Sequence, residues 1–222
     1  MKAMILAAGR GERMRPLTDS TPKPLLLAGG KPLIAWIIEA LVRAGFRELV
    51  INHAHLGEQI EAALGTGSAW GASIRYSPEG SALETAGGIV NALPLLGETF
   101  LVVNGDICTD IDYRRFTRRP RGAALAHIVL VPNPPHNSGG DFALEGERLR
   151  NRGRTLLTFS GIGVYRAELF RGLATGKPAK LAPLLRAAAD QDRADGEIHA
   201  GLWHDVGTPQ RLAELDRLLC SS

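Results

Sequence analysis

The feature that most constrains the fold is an alternation of apolar, strand-length runs with segments of helical period over residues 1–110. Residues 2–8 and 99–103 have the pattern of buried strands, and residues 32–44 have that of a helix with Pro32 at its start. Strands that alternate with helices along the chain favour a mostly parallel sheet covered on both faces. The sequence therefore predicts an open α/β sheet.

The second half is less regular, but it has no linker composition, fixed-period repeat or low-complexity tract. Strands are predicted at residues 123–131, 141–144, 156–165 and 198–203, and helices at 113–118, 167–173, 182–190 and 209–219. We therefore predict a single domain over residues 1–222 with one continuous sheet.

Composition and charge exclude several classes of protein. A hydrophobic fraction of 45% and a charged fraction of 22% exclude intrinsic disorder. No apolar run approaches the ~18 residues of a membrane span, and the start of the chain lacks the pattern of a signal peptide. The two cysteines, Cys108 and Cys220, cannot form a disulfide framework or a metal-type cluster. A net charge of +3 is low for a nucleic-acid-binding protein, so we expect a soluble cytoplasmic protein that binds neither nucleic acid nor membrane.

A long loop at residues 9–31 follows the first predicted strand. Gly9 and Gly11 begin like a dinucleotide-binding fingerprint, but Met14 stands at the third glycine position and Pro16 follows it. Further prolines at positions 22 and 24 also exclude a regular helix there. Loops far longer than about 4–6 residues are usually functional or disordered, and the leucines of this loop argue against disorder.

The content of this loop favours phosphate binding. Its two glycines let backbone N–H groups approach an anion closely. It carries five cations (Arg10, Arg13, Arg15, Lys23 and Lys31) against two anions, so its net charge equals that of the whole chain. Lys23 is flanked by two prolines, which suits a cation held toward one target. For the arginines, solvated surface charge is an equally good interpretation.

Residues 6–34, LAAGRGERMRPLTDSTPKPLLLAGGKPLI, resemble the signature of the sugar-1-phosphate nucleotidylyltransferases, with its G-x-G-x-R-x-x-P-x-T and P-K-P elements. The resemblance implies a Rossmann-like nucleotidyltransferase fold in which this loop wraps a nucleoside triphosphate. It also implies catalytic roles on the phosphates for Lys23 and Arg15. The nucleotide contacts that it implies here are Ala8, Gly9, Gly11, Glu12, Arg13 and Lys23.

Two aspartates are candidate ligands of Mg²⁺. Asp106 follows a buried strand, and open α/β sheets bind ligands at that edge. Asp205 lies in WHDVGTP, and both positions match the family, which implies that the pair shares one Mg²⁺ with substrate oxygens. A turn role for Asp205 is the alternative. Asp110 and Asp112 are predicted helix caps.

The remaining site residues follow from the same resemblance. It places the base and ribose around Gly80 and Thr85, with Glu84 where the family usually has glycine. This departure resembles the branch that acts on N-acetylmuramate 1-phosphate, although a helix cap explains Glu84 as well. It further assigns the sugar to Asn104, Asp141 and Gly163. Asp141 could equally close the preceding turn, and the arginines between residues 114 and 121 are predicted to form a solvated face.

The expected reaction is transfer of a uridylyl group from UTP to a sugar 1-phosphate, with N-acetylmuramate 1-phosphate as the favoured acceptor, in peptidoglycan recycling. A mannose- or heptose-1-phosphate guanylyltransferase is the alternative within the family. Met14 and Pro16 disfavour a dehydrogenase, and intact Lys23, Asp106 and Asp205 disfavour a non-catalytic regulatory module. Many relatives carry a C-terminal left-handed β-helix, which has a hexapeptide repeat. This sequence lacks that repeat, so we expect no β-helix here. We expect the protein to be a monomer or a weak homodimer.

Overall fold

The computed structural model describes residues 1–220. The helices are α1 (Leu33–Arg43), α2 (Gly57–Leu64), α3 (Glu84–Ala92), α4 (Leu181–Asp190) and α5 (Pro209–Cys220). The strands are β1 (Lys2–Leu6), β2 (Leu27–Ala28), β3 (Lys31–Pro32), β4 (Glu48–His53), β5 (Ser73–Pro78), β6 (Thr99–Asn104), β7 (Ile107–Thr109), β8 (Ala126–Val131), β9 (Ala143–Glu145), β10 (Arg148–Arg150), β11 (Thr158–Arg166), β12 (Ala194–Ile198) and β13 (Trp203–Asp205).

Nine strands form one sheet in the order β5-β4-β1-β6-β11-β8-β12-β10-β9. The β5-β4-β1-β6 half is parallel throughout, β11 is antiparallel to both of its neighbours, and β12 is parallel to β8. The predicted open, mostly parallel α/β sheet is confirmed. Because β1 pairs with both β4 and β6, the chain reverses its direction of winding at β1, where such sheets place their ligand sites.

Helices cover both faces of this sheet, as predicted. Successive side chains of a strand point to opposite faces, and in β1 Ala3 and Ile5 join the cluster under α1 and α2 while Met4 joins the cluster under α3 and α4. All three side chains are fully buried. This double burial explains why β1 has a continuous apolar sequence rather than an alternating one.

A third, smaller cluster holds the loop of residues 9–31. The loop contains three short 3-10 turns and the β2-β3 hairpin, so the prediction that its prolines exclude a regular helix is confirmed. Met14, fully buried, packs there with Leu33, Cys108, Val206 and Leu215. The residue that departs from the dinucleotide fingerprint therefore anchors the loop to the body of the protein.

Several local predictions were wrong. The expected strand at 198–203 is interrupted: Ile198 ends β12, Trp203 begins β13, and residues 199–202 are an irregular connection between them; the expected helices at 113–118 and 167–173 are single 3-10 turns. Asp112 caps the first of these, as predicted, through a 3.0 Å bond from Arg114 N, whereas Asp110 contacts His199 Nε2 at 2.8 Å instead. Arg119 departs from the predicted solvated face: its side chain is 10% exposed and pairs with Glu147 at 3.1 Å.

Within the part of the chain that the structure describes, no helix is both long enough and apolar enough to cross a membrane.

The two cysteines should differ in reactivity. Cys108 is buried, and burial, followed by the charge of Asp110, raises the pKa of its thiol, whereas Cys220 is exposed. Because the thiolate is the nucleophile, we expect iodoacetamide to alkylate Cys220 alone in the folded protein and both residues in denaturant. Peptide mass mapping of wild type and of Cys220→Ser reads this out; rapid labelling of native Cys108 would contradict the fold described for its strand.

Candidate active site

A cavity of about 440 Å³ lies at the carboxyl ends of β1, β4 and β6. The loop of residues 9–31 forms one wall, and the turn before α3 forms the opposite wall. The cavity is lined by Leu6, Ala7, Ala8, Gly9, Gly11, Glu12, Arg13, Lys23, Pro24, Asn52, Glu79, Ala82, Glu84, Thr85, Asn104, Gly105, Asp106 and Gly207. It thus contains most of the site residues that the sequence predicts.

Glycine is required at position 11 by the shape of the loop. Gly11 has φ 69°, and a Cβ there would come within 3.0 Å of Thr18 and 3.3 Å of Lys23. Its carbonyl accepts bonds from Thr18 Oγ1 at 2.9 Å and from the backbone N–H of Met14 at 2.8 Å. These two bonds close the turn at Gly11 and place Thr18 against it.

Lys23 and Asp106 meet in the cavity as an ion pair. The ammonium group contacts Asp106 Oδ2, and the two side chains are 13% and 29% exposed. Pro22 and Pro24 hold the backbone on either side of Lys23, and Asp106 lies in the two-residue turn between β6 and β7. The pair joins the loop to the end of the central strand, so a phosphate in this cavity would lie beside a cation that has one partner already.

The backbones of Asp205 and Asp106 lie side by side in the fold, but the Asp205 carboxylate is directed toward Arg211 and His136. The N–H of Val206 donates to the carbonyl of Asp106 at 2.8 Å. The Asp205 carboxylate accepts from Arg211 at 2.6 Å and lies 3.3 Å from His136. Among residues 1–220, no group of three or more His, Cys, Asp or Glu side chains could hold a metal. A shared Mg²⁺ on Asp106 and Asp205 thus stays a prediction.

The turn before α3 is held by a buried network that the sequence analysis missed. Asn52 accepts from Ala7 N at 2.9 Å and donates to Glu79 at 2.6 Å, and Glu79 also accepts from Leu83 N at 2.8 Å. Asn52 is 3% and Glu79 9% exposed. The sequence offers one sign of this network, the polar Asn52 near the end of the apolar strand β4, and that pattern is too common to predict a buried network. The network connects β1, β4 and the α3 turn across the cavity.

Glu84 is the first residue of α3 and has a left-handed backbone, with φ 61°. Its side chain is exposed and lines the cavity beside Thr85. Within the described residues its carboxylate has no hydrogen-bond or ion-pair partner, so it does not act as a side-chain cap. A non-glycine residue in this conformation costs roughly 1–3 kcal/mol, and such strain concentrates at functional sites.

Five predicted site residues do not line this cavity. Arg15 is directed to Asp19, at 2.7 Å, and Gly80 forms the outer part of the turn, with φ 59°. Asp141 accepts from Asn137 Nδ2 at 3.0 Å and from Phe159 N at 2.8 Å, which is the turn-closing alternative. Asp205, whose carboxylate pairs with Arg211, and Gly163 are the other two.

Gly163 is buried in β11, where an added Cβ would overlap the Tyr165 hydroxyl. The glycine that approaches the cavity is Gly161, at φ 79°, because a Cβ there would come within 2.7 Å of Asn104 Cγ. A bulge between Phe159 and Gly163 changes the strand register at this point. The sugar-binding roles of Asn104, Asp141 and Gly163 stay predictions.

Chemically, the cavity combines two kinds of group. Arg13, Lys23 and the glycine-rich backbone favour anions such as phosphate. Glu79, Glu84 and Asp106 provide acceptors for hydroxyl or N–H donors or for a metal. A ligand that carries both phosphate and hydroxyl groups fits this combination.

Residues 2–142 match the model of the nucleotidyl transferase family. The chain belongs to the nucleotidyl transferase family. It is 58% identical to an N-acetylmuramate alpha-1-phosphate uridylyltransferase of Neisseria meningitidis, over 98% of both chains. It is 32% identical to the enzyme of that name from Caulobacter vibrioides, over 97% of this chain and 96% of the relative.

The fold of this nucleotidyl transferase also matches a solved structure. A putative glucose-1-phosphate thymidylyltransferase from Bacillus anthracis superposes with a TM-score of 0.85, over 100% of this chain and 96% of the other, at 21% identity. At that identity the likeness concerns the fold alone. It confirms the nucleotidyltransferase fold implied by the resemblance of residues 6–34.

Glu84→Gly should stabilise the folded protein. Glycine adopts positive φ without steric cost, whereas Glu84 at φ 61° is strained. We expect a gain of about 1 kcal/mol, which is roughly 2–4 °C in melting temperature for a chain of this size. Glu84→Ala, which keeps the strain and removes the carboxylate, is the matched control; equal melting temperatures for the two variants would contradict the strain.

Proposed function

We propose that this nucleotidyl transferase transfers the uridylyl group of UTP to N-acetylmuramate 1-phosphate, with release of pyrophosphate, and acts in peptidoglycan recycling in the cytoplasm as a monomer or weak homodimer. The observation that carries the proposal is 58% identity over 98% of both chains to a relative of that name. The cavity supports it, because the loop glycines, Lys23 and Asp106 meet at the carboxyl ends of β1 and β6.

The reaction needs no nucleophilic side chain. A phosphate monoester has its second pKa near ~6 and is largely dianionic at neutral pH. An oxygen of the sugar phosphate attacks the α-phosphorus of UTP, a new P–O bond forms, and the bond from that phosphorus to the β-phosphate oxygen breaks. Pyrophosphate leaves with the electron pair. The barrier comes mainly from charge repulsion and positioning, which a fixed cation reduces.

Lys23 is the proposed source of that stabilisation. Its position between two prolines and its low exposure direct its ammonium group into the cavity. Charge that develops on the transferred phosphoryl oxygens would be stabilised by this group in partial exclusion of water. Arg15 is proposed to meet the β- and γ-phosphates, and to do so its guanidinium would leave Asp19.

Asp106 and Asp205 are proposed to hold Mg²⁺. Two carboxylates with substrate oxygens are hard donors of the kind this ion prefers, and the bond from Val206 N to Asp106 O holds the two strand ends together. When bound, Mg²⁺ supplies charge neutralisation on the phosphates. Asp106 also holds the Lys23 ammonium, so it sets the position of the cation that acts on the phosphoryl group.

Lys23→Ala should lower kcat by about 10²–10³-fold, the scale for one electrostatic donor in a preorganised site. Pyrophosphate release from UTP and the sugar phosphate measures this. Lys180→Ala, at an exposed position before α4, is the control and should retain full activity. Near-normal turnover by folded Lys23→Ala would remove Lys23 from the mechanism.

The acceptor and the base are tested together. With Mg²⁺ and UTP, we expect turnover of N-acetylmuramate 1-phosphate above that of N-acetylglucosamine, glucose and mannose 1-phosphates. The same acceptors are then assayed with GTP, dTTP, CTP and ATP. Product with GTP and mannose 1-phosphate alone would establish the guanylyltransferase alternative, and no UDP-sugar from the muramate acceptor would reject the proposal.

A further inference from the structure

A second cavity, of about 340 Å³, opens beside the first. One wall is the proline-rich segment after β8, with Pro132, Pro134 and Pro135, and the other carries Trp203, Asp205 and Arg211. Gly207 lines the first cavity and lies against Arg211, which lines the second. A methyl group on Gly207 would overlap the Arg211 guanidinium and come within 3.2 Å of Arg13 Nη2. Groups from both cavities therefore converge at this glycine.

Arg211 is the central charged group of the second cavity. Its side chain is 16% exposed, and Nη1 donates to Asp205 Oδ1 at 2.6 Å and faces His136 at 2.9 Å. Among residues 1–220, Nε and Nη2 of Arg211 make no hydrogen bond. A guanidinium has five N–H donors in a rigid fork, so this one can take a second carboxylate while it keeps Asp205.

The surroundings favour a small ligand group that is both anionic and apolar. Arg13 brings a second guanidinium to Gly207, which raises the positive potential there. The prolines opposite are apolar and stiff, so they form a fixed surface for a methyl group. A carboxylate with an adjacent methyl group would satisfy both walls.

N-acetylmuramate differs from N-acetylglucosamine by one such group, the lactyl ether, which carries a carboxylate and a methyl. We propose that Arg211 binds the lactyl carboxylate of the acceptor through Nε and Nη2, with the proline wall against the lactyl methyl. Planar, bidentate pairing with a carboxylate is the geometry that arginine provides and lysine does not. This inference rests on the proposed function, and it makes Arg211 a residue that determines acceptor specificity.

The two acceptors make a matched test, since they share every other group. In Arg211→Met, which keeps an unbranched stem and removes the donors, kcat/KM for N-acetylmuramate 1-phosphate should fall roughly 10- to 100-fold more than kcat/KM for N-acetylglucosamine 1-phosphate, the scale of a charged hydrogen bond. The loss should lie in KM for the muramate acceptor. Arg211→Lys should recover part of the preference, because it restores the charge without the fork.

The controls separate the possible failures. Arg154→Met, at an exposed position, should leave both acceptors unchanged. If wild type does not use N-acetylmuramate 1-phosphate, the proposed function fails. If wild type prefers it but Arg211→Met and Arg211→Lys lower both acceptors by one factor, Arg211 only positions Asp205 and the assignment to the lactyl carboxylate is overturned. Isothermal titration of UDP-N-acetylmuramate against UDP-N-acetylglucosamine gives the same ratio without turnover.

Discussion

The burial of Met14 is the contact on which the arrangement of the site depends. The loop of residues 9–31 has no regular helix or long strand, so its own hydrogen bonds cannot hold it in one place. Burying a methionine side chain contributes about 1.5–3 kcal/mol, and this one packs against Val206 and Leu215 from the far end of the chain. The loop, the strand that carries Asp205 and α5 are therefore one packed unit, which sets where Lys23 and Arg211 stand.

Three of the cations proposed to act in the site are each paired with a carboxylate in the described chain. Lys23 pairs with Asp106, Arg211 with Asp205 and Arg15 with Asp19. Unpaired, the partly buried groups of the first two pairs would carry a desolvation cost, whereas Arg15 and Asp19 are about half exposed and would carry little. The proposed ligands would act on these pairs in two ways: a substrate phosphate would take Arg15 from Asp19, whereas Arg211 would keep Asp205 and bind the acceptor through its remaining donors.

The sequence was sufficient for features that local patterns determine. Apolar runs predicted the strands of the parallel half, and the prolines around Lys23 with the glycine at position 11 identified the irregular loop that lines the cavity. Residues whose roles come from distant contacts were not predictable in this way. Asn52 and Glu79 acquire their roles only when β4 and β5 pair, and the bulge in β11 directs Gly161 rather than Gly163 toward Asn104, a register change with no local signal.

The same dependence on contacts between residues far apart in sequence explains the wrong predictions at charged residues. Asp110 looks like a helix cap in sequence, but His199, which lies 89 positions away, takes its carboxylate. Arg119 belongs to a run of arginines that looks solvated, and its burial follows from the approach of Glu147. Side chains with several possible partners are assigned by tertiary structure, because local spacing does not distinguish those partners.

The packing of α5 against the loop has a consequence for the order in which the protein acquires its parts during translation. The ribosome synthesises the loop of residues 9–31 long before Val206 and Leu215, which bury Met14. Until α5 emerges, the nascent chain can pair β1 with β4 and β6 while Met14 lacks part of its hydrophobic surroundings. The position of the loop thus depends on a segment that is synthesised much later, and this segment also bonds the loop directly, since Gly29 N donates to Asp216 of α5 at 2.8 Å.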